Sequence, residues 1–212
     1  MTEMMLQFKK IGIIPVVVLN DTKDALPLGE CLMEGGLPCA EVTFRTAAAE
    51  ESIRQMAKKF PDMIVGAGTV LTTEQADRAI DAGAKFIVSP GFNPKVTEYV
   101  LKKGMPMTPG VCTPTEIEAA MSLGLDVLKF FPAEPSGGLK MIKAVCAAYV
   151  NLQIMPTGGI SPENVRDYLK YDRIVACGGS WMVSGSLIKE GKFGEIKNLV
   201  REAADIVKEI RR

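Results

Sequence analysis

The sequence predicts an α/β protein folded as a (β/α)8 barrel (a TIM barrel), with a single domain over residues 1–212 and an N-terminal helix. Three observations lead to this prediction. Apolar runs rich in β-forming residues alternate with amphipathic helical patterns, eight such runs occur, and no linker or low-complexity segment interrupts them. Such alternation is typical of parallel strands joined by crossover helices, and eight units close a barrel. A doubly wound open sheet is the alternative.

The elements follow one another in a regular order. Residues 1–10 form a short amphipathic helical pattern ahead of the first strand. The predicted strands lie at residues 13–19, 40–44, 63–67, 86–89, 106–108, 127–131, 152–156 and 174–177. Helical patterns lie at 23–34, 48–59, 73–82, 94–103, 114–122, 138–148 and 161–169, and 193–212 is a closing helix with apolar residues at helical spacing. Thr73, Thr113 and Ser161 are suitable N-cap residues for three of these helices.

Charge and hydropathy argue against several kinds of partner. The chain has 25 basic and 25 acidic residues, so its formal net charge is zero. We expect no nucleic acid and no membrane as partner, because no basic field attracts either. The apolar stretch at residues 11–19 is far shorter than the roughly 20 residues that a membrane-spanning helix needs. Residues 1–10 lack the features of a signal peptide, and we therefore expect a cytoplasmic protein.

The sequence contains no histidine, which limits its chemistry. A histidine-ligated zinc site and a triad with a histidine base are both excluded. The five cysteines are scattered and lack C-x-x-C spacing, which indicates reduced and mostly buried thiols. Acid–base chemistry is left to carboxylates, lysine, tyrosine or water.

Lys129 is the most informative residue, because it lies in the middle of the apolar sixth predicted strand. Removing an ammonium group from water costs several kcal/mol unless the group is paired or loses its proton. A neutral amine is a nucleophile. Lys129 is therefore either a lysine that forms a Schiff base or one half of a buried ion pair.

The second predicted strand carries polar residues at alternating positions. Glu41, Thr43 and Arg45 point to one face, and Val42 and Phe44 point to the other. If the apolar face packs beneath the helices, then the carboxylate and the guanidinium face the same interior as Lys129. Three ionisable groups that converge in this way favour a functional site over a structural salt bridge.

Glycine-rich segments follow three of the predicted strands. Gly66-Ala67-Gly68-Thr69 ends the third strand, and its small residues let backbone approach a ligand. Gly158-Gly159 and Gly178-Gly179 follow the seventh and eighth strands. Backbone N–H groups in such loops, near helix N-termini, form an anion-binding cradle that requires no basic side chain. Barrels commonly bind phosphate between these two loops, although tight turns without a ligand would look the same.

The motifs at these positions resemble those of a known family over nearly the whole chain. They are EVTFRT at 41–46, GAGTV at 66–70, SPG at 89–91, PGVCTPTE at 109–116, LKFFPAE at 128–134, PTGGIS at 156–161 and GGSW at 178–181. In this order and spacing they resemble the 2-keto-3-deoxy-6-phosphogluconate aldolases, a family that includes 4-hydroxy-2-oxoglutarate aldolases. The resemblance implies a lyase that needs no metal and no cofactor and that releases pyruvate from a 2-keto acid, the lyase of the Entner-Doudoroff pathway. It also implies a homotrimer.

The resemblance also implies residue roles. Lys129 would form the Schiff base, and Glu41 would act as the general acid and base. The substrate-binding residues would be Arg45, Thr69, Phe131 and Thr157, and the phosphate would be held by Gly158, Gly159, Gly179 and Ser180. One departure concerns Asn20, because some relatives, including the phosphogalactonate branch, have an arginine after the leucine of the first strand. This difference favours the phosphogluconate branch.

Two other functions would keep the same barrel and phosphate cradle. The protein could be a phosphosugar isomerase, epimerase or synthase, in which Lys129 and Glu41 act as acid and base. It could also be a non-catalytic barrel that binds a phosphometabolite, with the two residues as a structural pair. The three functions differ in whether Lys129 forms a covalent bond to a keto acid.

Overall fold

Strands and helices alternate along most of the chain. The structure is a computed structural model that describes residues 2–211, so Met1 and Arg212, the outer residues of the two predicted terminal helices, lie outside it. The strands are β1 (Ile13–Val17), β2 (Cys39–Thr43), β3 (Ile64–Gly68), β4 (Ile87–Val88), β5 (Met107–Thr108), β6 (Gly110–Val111), β7 (Val127–Phe130), β8 (Gln153–Pro156) and β9 (Cys177–Gly179). The helices are α1 (Glu3–Ile11), α2 (Ala25–Gly35), α3 (Ala49–Lys59), α4 (Thr73–Asp81), α5 (Pro94–Lys102), α6 (Pro114–Met121), α7 (Gly138–Ala148), α8 (Val165–Leu169), α9 (Gly185–Lys189) and α10 (Phe193–Ile210).

The strands pair in parallel and form two sheets. Six strands follow the order β5-β4-β3-β2-β1-β9, and three follow the order β6-β7-β8. In the first sheet Glu41 of β2 is in register with Val16 of β1 and Gly66 of β3. In the second sheet Lys129 of β7 is in register with Gly110 and Met155. Because the strands of each sheet run in one direction, the residues that follow their carboxyl ends gather at one edge of that sheet.

The predicted closed (β/α)8 barrel is wrong, because the strands within residues 2–211 form a six-stranded and a three-stranded sheet and not one closed eight-stranded sheet. Pro109 separates β5, which pairs with β4, from β6, which pairs with β7. Proline has no N–H to donate, so the ladder breaks where the chain passes from one sheet to the other. At the other border the two sheets are joined by isolated bridges, one of which pairs Thr157 with Gly178. The predicted fifth strand, residues 106–108, corresponds to β5 alone, and β6 was not predicted. The predicted eighth strand begins later, at Cys177.

Helix α1 closes the amino ends of the strands. Phe8 is fully buried, and its ring meets the ring of Phe86 edge-on, with the centroids 4.8 Å apart. Around them lies a small apolar cluster that includes Met5, Ile14 and Val127. A larger apolar core occupies the space between the strands and the surrounding helices. Since the amino ends are filled with apolar side chains, a polar site must lie at the carboxyl ends.

The helix ends follow the sequence signals in part. Thr113 caps α6 as predicted, and Glu116 completes a capping box with it. Thr72 rather than Thr73 caps α4, because its hydroxyl accepts the N–H of Gln75. Ser161 does not cap α8, which begins at Val165. No helix within residues 2–211 is both long enough and apolar enough to cross a membrane.

Candidate active site

A pocket of about 600 Å³ lies at the carboxyl ends of β1, β2, β3, β7, β8 and β9. All the site residues predicted from the sequence line it, namely Glu41, Arg45, Thr69, Lys129, Phe131, Thr157, Gly158, Gly159, Gly179 and Ser180. A larger groove of about 820 Å³ lies at the opposite end of the strands, between α1 and α10, and contains none of them. The smaller pocket is therefore the candidate active site, because the chemically active groups converge there.

Lys129 and Glu41 form a buried pair at the base of this pocket. Lys129 is only 5% exposed and Glu41 only 1%. The Nζ atom of Lys129 donates to Oε1 of Glu41 over 3.4 Å, a long hydrogen bond. The Phe131 ring lies beside the same amine, with its centroid 5.1 Å from Nζ. Within residues 2–211 the other carboxylate oxygen, Oε2 of Glu41, is buried without a hydrogen-bond partner, so the pair has acceptor capacity left for a ligand.

Gly68 provides the space that the Glu41 side chain occupies. A Cβ atom added to Gly68 would lie 2.3 Å from Oε1 of Glu41 and 2.7 Å from its Cγ. Gly68 pairs with Thr43, two residues after Glu41 on β2, so the carboxylate lies across the end of the neighbouring strand. A side chain at this position would therefore displace the carboxylate that Lys129 contacts.

The polar residues after Glu41 do not all face the ligand space. Thr43 is buried, and its hydroxyl donates to the carbonyl of Val17 over 3.0 Å, which holds β2 against β1. Arg45 follows the end of β2 in an exposed turn on the pocket rim. It makes no ion pair within residues 2–211. The cation beside Glu41 is therefore Lys129 and not Arg45, and the guanidinium of Arg45 is available to a ligand.

Two threonines on the pocket wall have unusual surroundings. Thr69 is in the left-handed region with φ at 57°, the only non-glycine residue among residues 2–211 with a positive φ. Such a backbone costs a β-branched residue roughly 1–3 kcal/mol, and it concentrates at functional sites. Thr157 is 6% exposed, and among residues 2–211 its buried hydroxyl has no hydrogen-bond partner. Gly178 leaves room for this hydroxyl, since a Cβ there would lie 2.3 Å from it.

The two glycine pairs meet at one side of the pocket. The bridge between Thr157 and Gly178 brings the chain segments together. Gly158 and Gly159 have φ values of 98° and 82°, which only glycine adopts without strain. Trp181 packs on Gly179, where a Cβ would lie 2.0 Å from its ring, and the exposed Ser180 precedes it. The two segments contain glycines, a serine hydroxyl and no basic side chain. This is the arrangement of an anion-binding site built from uncharged groups.

The buried thiols near this region are not reactive groups. All five cysteines are free, and Cys39 and Cys177 are fully buried. Burial raises the pKa of Cys39 well above its usual range, and the charge of Glu41 raises it further. Burial raises the pKa of Cys177 to about 12. Both thiols are therefore protonated at neutral pH, and neither competes with Lys129 as a nucleophile.

Two features of the pocket were missed by the sequence reasoning. The first is the role of Gly68, which becomes visible only when the register of β2 and β3 is known. The second is a wall formed by Ser184 and Gly185 at the start of α9. The hydroxyl of Ser184 accepts the N–H of Leu187 as a helix cap, and a serine just before a helical pattern is the signal that could have marked this helix start.

The fold and the pocket define the class of this protein, which is a parallel α/β enzyme with a small-molecule site. A family model for aldolases, described as "KDPG and KHG aldolase", matches residues 4–199. The two abbreviations denote 2-keto-3-deoxy-6-phosphogluconate and 4-hydroxy-2-oxoglutarate. The 2-dehydro-3-deoxy-phosphogluconate aldolase of Haemophilus influenzae is 49% identical over 202 residues, which cover 95% of each chain.

Solved structures agree with the sequence comparison. The KDPG aldolase of Legionella pneumophila, captured with pyruvate as a covalent carbinolamine, has a TM-score of 0.91 and 36% identity and covers 94% of this chain and 97% of its own. The KDPG aldolase of Zymomonas mobilis with 3-phosphoglycerate has a TM-score of 0.88 and 37% identity and covers 94% of both chains. The chain belongs to the KDPG and KHG aldolase family. It is therefore a carbon–carbon lyase, which decides against both the isomerase, epimerase or synthase and the non-catalytic binding protein.

Proposed function

We propose that the protein cleaves KDPG to pyruvate and glyceraldehyde 3-phosphate through a Schiff base on Lys129. The observation that carries this proposal is the buried amine of Lys129, which opens onto the pocket and contacts a carboxylate at 3.4 Å. Lys129 is the only lysine that lines the pocket within residues 2–211. The covalent pyruvate carbinolamine of the Legionella pneumophila relative supports the same chemistry.

The pair of Lys129 and Glu41 suits each step of this reaction. The neutral amine attacks the C2 carbonyl of the substrate, and Glu41 returns protons as the carbinolamine loses water to become an iminium ion. Glu41 then takes the proton of the C4 hydroxyl, the C3–C4 bond breaks, and its electron pair passes into the iminium to give an enamine and an aldehyde. Protonation of the enamine at C3 and hydrolysis release pyruvate and regenerate the amine.

Four residues would hold the keto-acid end of the substrate. Arg45 has its guanidinium free at the rim, which suits a bidentate contact to the carboxylate. The unpartnered hydroxyl of Thr157 is a donor inside the pocket. Thr69, held in its left-handed backbone, presents a second hydroxyl, and the Phe131 ring covers the amine. Fixing the register of the keto carbon against Lys129 is the main benefit of these contacts.

The phosphate would bind at the two glycine pairs. Gly158, Gly159 and Gly179 offer backbone N–H groups, and Ser180 offers a hydroxyl. The 3-phosphoglycerate bound by the Zymomonas mobilis relative supports a phosphorylated ligand. Substitution of Ser180 by alanine should raise the KM for KDPG and leave that for KHG nearly unchanged.

A second substrate is supported by the family description itself, which includes KHG. Cleavage of KHG gives pyruvate and glyoxylate, and the step at Lys129 is the same, since both substrates are 2-keto-4-hydroxy acids. We also propose the homotrimer and the cytoplasmic location that the sequence predicts. Sedimentation at three times the chain mass would support the first, and fractionation of cells the second.

Trapping of the Schiff base tests the central proposal. The protein is treated with borohydride in the presence of pyruvate, and its peptides are analysed by mass spectrometry. We expect one adduct, on Lys129, and none in the matched variant Lys129→Met. An adduct on another lysine, or no adduct in a protein that turns over KDPG, would refute the role of Lys129.

A further inference from the structure

The turn after β7, residues 131–138, is attached to the glycine loop, which we define as residues 157–159. The N–H of Ala133 donates to the carbonyl of Thr157 over 2.8 Å, and the N–H of Glu134 donates to the carbonyl of Gly158 over 3.0 Å. The position of the glycine loop therefore depends on the position of this turn. The same turn begins at Phe131, two residues after Lys129 on the chain.

The side chain of Glu134 lies directly over the glycine loop. A Cβ added to Gly159 would lie 2.6 Å from Cβ of Glu134 and 2.7 Å from its Cγ. The carboxylate then reaches α8, where its Oε1 accepts a hydrogen bond from the hydroxyl of Tyr168. Gly138 leaves room for this contact, since a Cβ there would lie 2.9 Å from Oε1 of Glu134 and 3.1 Å from the Tyr168 hydroxyl. The loop is thus held between the turn and a fixed helix.

Tyr168 is well placed to serve as the anchor. It is 2% exposed and is part of the apolar core, so its ring is fixed by packing. A buried hydroxyl requires a partner, and Glu134 provides it. Burial raises the pKa of Tyr168, and the bond to Glu134 raises it further, so the hydroxyl keeps its proton at neutral pH. A bond from such a donor to a carboxylate is stronger than a bond between neutral groups.

We propose that Glu134 and Tyr168 are positioning residues that fix the glycine loop and thereby set the affinity for the phosphate end of the substrate. This inference rests on the proposed function of the pocket. Backbone N–H donors bind an anion well only when they already point at it, because ordering them during binding costs free energy. The hydrogen bond between Tyr168 and Glu134 maintains that order from outside the pocket, which neither residue lines.

The inference predicts different effects on the KM values of the two proposed substrates. KDPG ends in a phosphate that would need the glycine loop, whereas KHG has no phosphate. Loss of the anchor should therefore raise the KM for KDPG roughly three- to tenfold, as expected for part of one charge-assisted hydrogen bond. The kcat for KDPG, the KM for KHG and the pyruvate adduct on Lys129 should stay close to those of the wild type. A general loss of structure would move all of these together.

The test uses two variants and one rescue. Tyr168→Phe removes only the hydroxyl, and Glu134→Ala removes the acceptor from an exposed residue, so the second variant decides the matter if the first does not fold. Glu134→Gln keeps an amide oxygen that can accept from Tyr168 and should restore much of the KM. Kinetics with KDPG and KHG are measured for each variant.

Tyr149 supplies a matched control. Its hydroxyl donates to Glu118 over 2.8 Å at the surface, and neither residue lines the pocket. Tyr149→Phe is therefore the same chemical deletion in a pair away from the glycine loop and should leave both KM values unchanged. If Tyr168→Phe and Glu134→Ala leave the KM for KDPG unchanged, or change the two substrates equally, the inference is wrong while the aldolase function stands. A wild-type protein that cleaves neither substrate would overturn the proposed function and the inference with it.

Discussion

A methyl group placed at Gly68 should disable the Glu41 carboxylate while leaving the fold intact. Gly68 ends β3 in ordinary extended backbone, so alanine fits the main chain there without strain. Its Cβ, however, would lie 2.3 Å from Oε1, 2.9 Å from Cδ and 2.7 Å from Cγ of Glu41. The whole carboxylate arm, and not only its tip, would have to move.

The size of the effect follows from these distances. An ordinary contact begins near 3.4 Å, so the carboxylate must shift by roughly 1 Å, and misplacement of this size can cost about a hundredfold in rate. The bond from Lys129 to Glu41 is already long at 3.4 Å, and such a shift would break it. We expect Gly68→Ala to lower kcat about a hundredfold, or about 2.7 kcal/mol in activation free energy.

The assay compares turnover with folding and with the reactivity of Lys129. The kcat and KM for KDPG are measured together with the thermal unfolding midpoint and the yield of the borohydride-trapped pyruvate adduct. Gly194→Ala is the matched control, because Gly194 lies in the first turn of α10 with no atom close to its added Cβ. The control should keep wild-type kinetics and gain a little stability from the better helix former.

The outcome can contradict the reasoning in a definite way. If Gly68→Ala folds and retains kcat within about threefold of the wild type, then Glu41 does not act from the place that Gly68 leaves open. If the variant loses kcat only in proportion to a loss of folded protein, the effect is one of overpacking. Only a large loss of kcat in a folded protein supports the proton-transfer role.

Three further predictions concern stability. Thr69→Asn should raise the thermal unfolding midpoint by a few degrees, because asparagine tolerates the left-handed backbone better than threonine. The same variant should lower kcat/KM. An unchanged midpoint would mean that the backbone of Thr69 is not strained. Burial raises the pKa of Cys177 from 9.0 to about 12, so its stabilising contribution is full below pH 9 and is lost as the pH rises towards 12. We therefore expect the free energy of unfolding, measured with urea, to fall with pH less steeply in Cys177→Ala than in the wild type. The two slopes should differ by about 1.4 kcal/mol per pH unit between pH 9 and 11, and equal slopes would contradict this. Lys129→Met should lower the free energy of unfolding by about 3 kcal/mol at pH 7, because it leaves Glu41 buried without its cation. The double variant Lys129→Met with Glu41→Gln should recover most of this loss. No recovery would mean that the broken pair is not the cause.

Much of the layout could be predicted because it depends on local patterns. Apolar runs and helical periodicity predict the order of strands and helices, and their positions agree with β1 to β4 and β7 to within a few residues. The predicted site residues share one pocket because residues after parallel strands gather at the same edge. Lys129 could be identified because a charged residue inside an apolar strand is energetically unfavourable unless it is paired or loses its proton.

The remainder depends on contacts between distant segments. The sequence reveals neither the short strand β6 nor that the strands on the two sides of Pro109 belong to different sheets, because a proline after a strand is compatible with a simple strand end. Neither the carboxylate above Gly68 nor the Glu134 side chain above Gly159 follows from any local pattern. Each requires the register of two segments that are remote in the sequence, and register is fixed by the packing of the whole molecule.

The sequence left open whether Lys129 is a reactive amine or half of a structural ion pair. The pairing with Glu41 is compatible with both, and the nearby buried atoms that lack partners distinguish them better. A buried ion pair kept for stability would satisfy its remaining oxygens, because each orphaned acceptor costs free energy. In the described part of the chain, Oε2 of Glu41 and the hydroxyl of Thr157 are both buried without hydrogen-bond partners, and both belong to the same pocket. The strained backbone of Thr69 lies on the same wall. These unfavourable features all lie in the pocket where a 2-keto acid would bind. On the proposed function, the carboxylate, keto oxygen and hydroxyl of the substrate supply the partners that the folded chain lacks.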